Sequence, residues 1–280
     1  MAGEEETVVR SQEPVVSKTQ YRLPTTDYRL PMSEDLTSLI HGHTADELKR
    51  AAAHEALSEE LALALLERRD LPPEALEALS KNAPALKSRR VLVGMIGHPK
   101  TPRHVSLPAT RHLYTFELMQ LALSPAVLAD IKKAAEETLI SRLEKISLGE
   151  RITLARRASG RVAAALLLDS EPRVIEAAVT NPFLTEVLVV KALMAEKASA
   201  ALVELVCRDG RWSLRREVRI ALLRNPRTSA NEAAQLAHSL PSGVLHELVQ
   251  DTRLPEAARI HAQQELQSRE EEEGKSAPLT

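Results

Sequence analysis

Three stretches of this chain repeat one another: "VLVGMIGHPKTP" from Val91, "VIEAAVTNPFLT" from Val174 and "VRIALLRNPRTS" from Val218. Each carries a short apolar run, then a polar residue (His98, Asn181, Asn225), then a proline (Pro99, Pro182, Pro226), and shortly a threonine. The copies start 83 and 44 residues apart, close to two units and one unit of roughly 42, a period in the range of helical repeats. Each unit reads as a helix whose asparagine caps the next helix and whose proline opens it. A divergent copy lies in "ALALLERRDLPPEALEAL" (62–79). "LSPAVLADIKKAAEETLISR" (123–142) matches "LPEAARIHAQQELQSR" (254–269) in shape, each closing on L-x-S-R, and follows a copy at a similar distance. A chain that repeats in this way is expected to be an array of short helices stacked by nearest neighbours.

The stretch between these landmarks agrees. Aromatic residues make up only 2% of a chain that is 44% hydrophobic, so the core must be Leu, Ala and Val, which favours helices over sheets. Thr44 with Glu47, Ser147 with Glu150 and Ser229 with Glu232 form capping boxes. Proline stands near the start of "LPPEALEAL", "SPAVLADI", "EPRVIEAA" and "LPEAARI", which suits the first helical turn. No alternating strand pattern competes. A helical repeat domain over 44–269 with about ten to twelve helices is expected, between disordered tails over 1–43 and 270–280. The first tail carries a doubled tetrapeptide, Tyr21-Arg22-Leu23-Pro24 and Tyr28-Arg29-Leu30-Pro31. It is a chance duplication, or a short linear motif that docks on a partner or folds back on the body.

The pattern V-x-x-A-x-x-x-N-P, at Val174, Ala177, Asn181, Pro182 and again at Val218, Ala221, Asn225, Pro226, resembles the units of bacterial leucine-rich-repeat variant proteins, relatives of HEAT-like α-solenoids. The first copy departs from it, with Gly94 for alanine and His98 for asparagine. The resemblance covers most of 85–269. It implies an all-α, right-handed superhelical array used for binding, and an arginine, Arg219, that pairs with a neighbouring acid. It carries no catalytic residues.

Net charge is −2, so nothing draws the whole chain to nucleic acid or anionic membrane. One cysteine, Cys207, excludes an intramolecular disulfide and suits a reducing cytoplasm. No apolar run reaches membrane-span length, and the acidic start lacks the marks of a signal peptide. A cytoplasmic protein is expected.

Arg208 to Arg227 hold seven arginines around the only tryptophan. Arg208, Arg211, Arg215 and Arg216 beside Trp212 are candidate partner-binding residues, against an acidic protein segment or, alternatively, a phosphate backbone with stacked bases. The competing reading makes the arginines solvated scaffold wiring and Trp212 an anchor between repeats. Tyr114 and Phe116, in the irregular stretch 83–123, fill the core or form a contact patch. His41, His43 and His54, and His98, His104 and His112, match no metal-ligand spacing. No glycine-rich phosphate loop, nucleophile elbow or zinc-protease motif occurs, and Cys207 closes an apolar run as a small hydrophobe. No cofactor or enzyme activity is expected. The leading expectation is a scaffold or adaptor that binds a protein or peptide segment on its concave face, and the alternative is a nucleic-acid-associated protein using 208–227.

Overall fold

A computed structural model describes the chain over residues 32–276, with side chains over 36–272. Eighteen α-helices and no strand occur among the described residues. In order they are α1 (Met32–Ile40), α2 (Ala45–Ala53), α3 (Glu59–Glu67), α4 (Pro73–Lys81), α5 (Ala83–Leu86), α6 (Arg89–Gly97), α7 (Arg103–Thr110), α8 (Thr115–Leu123), α9 (Ala129–Arg142), α10 (Leu148–Arg157), α11 (Gly160–Leu166), α12 (Pro172–Val179), α13 (Glu186–Leu193), α14 (Ala200–Arg208), α15 (Arg216–Arg224), α16 (Ala230–His238), α17 (Ser242–Gln250) and α18 (Glu256–Ser276). The best-packed pairs are α2 with α4, α8 with α9, α16 with α18, α10 with α12 and α17 with α18, and the helices that touch closely, α3 with α6 and α6 with α8 included, lie no more than three apart in the chain.

The helix count exceeds the expected ten to twelve because polar residues cut segments that look continuous. Asn82 ends α4 and starts α5, its Oδ1 accepting from Ala85 N at 3.2 Å, and Ser88 then caps α6. The capping boxes at Thr44, Ser147 and Ser229 form as the sequence requires. α1 lies inside the stretch 1–43 that was expected to lack regular structure, and Leu36 and Ile40 are buried. α18 runs on to Ser276, because the glutamates after Arg269 are good helix formers. Both YRLP tetrapeptides fall outside the described residues.

The repeated Asn-Pro does a different job from the one its spacing suggests. The helices after Pro99, Pro182 and Pro226 begin four residues on, at Arg103, Glu186 and Ala230. The prolines sit instead at the second position of a tight turn. Thr101 N donates to His98 O, Leu184 N to Asn181 O and Thr228 N to Asn225 O, at 3.0, 3.3 and 3.1 Å. Proline suits that position because its φ is preset and no N–H is needed there. The preceding side chain tightens the turn: Asn181 Oδ1 accepts from Phe183 N (2.7 Å), Asn225 Oδ1 from Arg227 N (2.9 Å), and His98 Nδ1 from Lys100 N (3.2 Å). The threonines Thr101 and Thr228 both donate their hydroxyls to carbonyls six residues back, those of Met95 and Leu222.

The carboxamide nitrogens reach backward across the fold. Asn82 Nδ2 donates to Ala52 O and His54 O, Asn181 Nδ2 to Ala155 O (2.8 Å) and Ala158 O (3.0 Å), and Asn225 Nδ2 to Leu193 O (2.6 Å). Each thereby satisfies carbonyls at the end of an earlier helix, which have no partner within that helix. His98 does the same through Nε2 on Arg68 O, at 3.2 Å. Two arginines act alike at longer reach. Arg142 bonds the carbonyls of Leu113 and Arg111, and Arg269 those of Leu240 and His238; in both cases the partners lie 29 and 31 residues back. These are the arginines that close the two L-x-S-R sequences.

Candidate functional site: an apolar groove across three helices

In α6, Val91, Met95 and Ile96 point into the core. The other side of the helix carries Val93, Gly94 and Gly97. A Cβ at Gly94 would stand 3.2 Å from Leu66 Cδ1 on α3. At Gly97 it would stand 3.3 Å from Val127 Cγ2 and 3.4 Å from Leu121 Cδ1. The two glycines bare the α6 backbone, so that the leucines of the flanking helices edge over it. In the copies from Val174 and Val218, alanine occupies the position of Gly94, and Thr180 and Arg224 that of Gly97. Arg224 fills its position with a long side chain that pairs with Asp251 at 2.7 Å.

The result is a groove of about 800 Å³ crossing α3, α6 and α8. Its apolar lining, here the floor, includes Leu63, Leu66, Val93, Leu121 and Val127, and its polar and charged lining, here the rim, is Glu67, Arg69, Arg90, His98, Gln120 and Ser124. Arg90 is tied to Glu59 at 3.3 Å, and Glu67 and Arg69 have no ion-pair partner among the described residues. His98 is nearly buried. Burial pushes its pKa below the usual imidazole value, with the charge of Lys100 acting in the same direction against the bond to Arg68. Because Arg68 O only accepts and Lys100 N only donates, the ring is the neutral tautomer with its proton on Nε2.

The arginine-rich stretch lies elsewhere and is mostly engaged within the chain. Trp212 is 2% exposed and its indole N–H donates to Val179 O at 3.0 Å, so it is an anchor between helices and offers no face for stacking. The Arg211 guanidinium covers that ring at 4.2 Å and donates to Asn181 O and Leu184 O. Arg208 pairs with Glu204, Arg215 lies 3.8 Å from Glu186, and Arg224 pairs with Asp251. Arg219 bonds the carbonyls of Ser213 and Ser239 rather than the acid that the resemblance implies. Carbonyls left over at a turn and a helix end are the partners within its reach. The side chains of Arg216 and Arg227 have no bonded partner among the described residues.

Tyr114 and Phe116 open α8, whereas the groove lies at its far end, so the two sites are separate. Tyr114 is 66% exposed and stacked under Arg89, whose guanidinium also grips Glu117. Phe116 is 40% exposed. Neither fills the core. Of the groove residues, the sequence singled out His98 and Pro99, and those only as parts of the repeat, although one signal was there: Gly94 and His98 are the two departures of the first copy from the repeat.

No reactive constellation forms among the described residues. Burial, with a contribution from Glu232, pushes the Cys207 thiol up to about 12, so it stays protonated and unreactive at neutral pH. No group of three or more His, Cys, Asp or Glu side chains there is placed to hold a metal ion. No helix there is long and apolar enough to cross a membrane. Comparison with protein-family models, curated proteins and solved structures finds no significant match to this chain.

Proposed function

We propose that this chain is a non-enzymatic, cytoplasmic scaffold or adaptor, and that the groove across α3, α6 and α8 binds a segment of a protein partner. In this reading the helices form a right-handed α-solenoid related to the leucine-rich-repeat variant and HEAT-like proteins, with the groove on its concave face. The observation that carries the function is the groove itself. It draws an apolar floor from three helices beside a few polar and charged groups, and such grooves accept spaced hydrophobic anchors of a peptide. Packing between near neighbours and the matched bonds of Arg142 and Arg269 support the array. The nucleic-acid alternative is left with Arg216 and Arg227 as unengaged cations in the 208–227 stretch.

Selection from a displayed peptide library tests the function. The native chain should enrich sequences with hydrophobic residues at fixed spacing. Val93→Asp, which charges the floor, should abolish that enrichment, whereas Val187→Asp, at an exposed position of α13, should leave it intact. Enrichment indifferent to Val93→Asp would end the proposal.

A further inference from the structure

We infer that the occupant of the α3–α6–α8 groove in the resting protein is the chain's own first YRLP tetrapeptide, Tyr21-Arg22-Leu23-Pro24. This rests on the reading of the groove as a segment-binding site and adds the identity of the segment.

Geometry makes the first case. α1, α3, α6 and α8 end side by side along one edge. Arg68, which caps α3, donates to Ile40 O at the end of α1 (2.6 Å), and its own carbonyl accepts from His98 at the end of α6. Gly97 meets Val127, just past the end of α8. α1 is therefore the next helix outward from the groove, with α3 between them. The chain enters α1 at Met32, at the end away from the shared edge. Two helix spacings of ~8–10 Å and nine residues of ~1.5 Å rise put the middle of the groove ~20–25 Å from Met32. The eight links from Pro24 to Met32 span up to ~26–29 Å. The first tetrapeptide reaches the floor. The second, Tyr28 to Pro31, abuts α1 and falls short of it.

Chemistry makes the second case. Proline biases the residue before it toward extended backbone, and in extended chain alternate side chains share a face. Tyr21 and Leu23 then point together onto Leu63, Leu66 and Val93, apolar residues of the groove. Arg22 turns to the rim, where Glu67 lacks an ion-pair partner among the described residues. Docking from within the chain carries an effective concentration set by a linker of only seven residues, so a weak contact suffices to hold it.

The test uses the full chain with a nitroxide on Gln20→Cys in a Cys207→Ser background and isotope-labelled Leu and Val methyls. Should that background fail to fold, native Cys207 is retained, since its protonated thiol reacts slowly. The groove methyls of Leu63, Leu66, Val93 and Val127 should broaden while those of Val189 and Leu205 stay sharp, with no change on tenfold dilution. Leu23→Asp should remove the broadening. Absence of broadening overturns the inference. So does broadening that fades on dilution, or that appears between separately labelled chains, because the occupant is then a second copy. In each of those cases the response of library enrichment to Val93→Asp still decides independently whether the groove binds segments at all.

Discussion

At the residue scale, the recurring asparagine is a two-handed connector: its oxygen closes a turn and its nitrogen satisfies the end of an earlier helix. Asn181 is completely buried, so Asn181→Ala leaves the carbonyls of Ala155 and Ala158 without that donor. We expect a loss of about 1–3 kcal/mol in urea unfolding, and a loss below about 0.5 kcal/mol, the range of ordinary surface changes, would show the bond to be idle. The Asn-Pro recurrence was legible in the sequence but its purpose was not. Spacing exposes the residue, whereas the carbonyl it serves lies 23 to 32 residues earlier. His98 makes the same connection with a titratable ring. Its pKa is lowered in the fold from 6.5, so the unfolded chain takes up the proton first. The His98 contribution is complete above pH about 6.5 and declines as pH falls below it. The melting temperature of the native chain should therefore drop between pH 7 and pH 5 by more than that of His98→Asn. Equal drops would rule out His98 as the source.

Among the described glycines, the closest approach to another backbone is at Gly160 on α11, against the turn leading into α13. A Cβ on Gly160 would stand 2.2 Å from Phe183 O. Side chains can move aside, but a carbonyl fixed by the neighbouring turn cannot without displacing α13. Gly160→Ala should cost about 1–3 kcal/mol, although alanine is the better helix former by roughly 1 kcal/mol; a stabilised variant would refute the contact. Helix starts at Thr44, Ser147 and Ser229 could be read directly, since a capping box is local in sequence. The splitting of 71–97 into three helices could not, because Asn82 breaks that run through partners on α2 and its neighbouring turn.

In the whole molecule, close packing stays between near neighbours in the chain, so damage should stay local. Hydrogen exchange of Asn181→Ala should rise most in α10 to α13 and least in α2 to α4. Uniform acceleration would mean that the chain opens as one unit. The all-helical fold was legible from periodicity and composition. The groove was not, because it arises where two glycines on one helix coincide with leucines on two others. Sequence marked Gly94 only as an imperfect copy of its sister units. The arginine stretch attracted notice for the opposite reason: charge density is conspicuous in sequence, but the carbonyls that absorb it are invisible there.

The bonds from Asn82, His98, Arg142, Asn181, Arg211, Asn225 and Arg269 share one polarity: the later side chain always reaches for the earlier carbonyl. Arg89, on His112 O, and Arg219, on Ser239 O, reach the other way, so a nascent chain leaving the ribosome can secure most of its new segments, though not those two, to ones already in place. Stalled intermediates should thus acquire protease resistance progressively from the amino-terminal side as they lengthen.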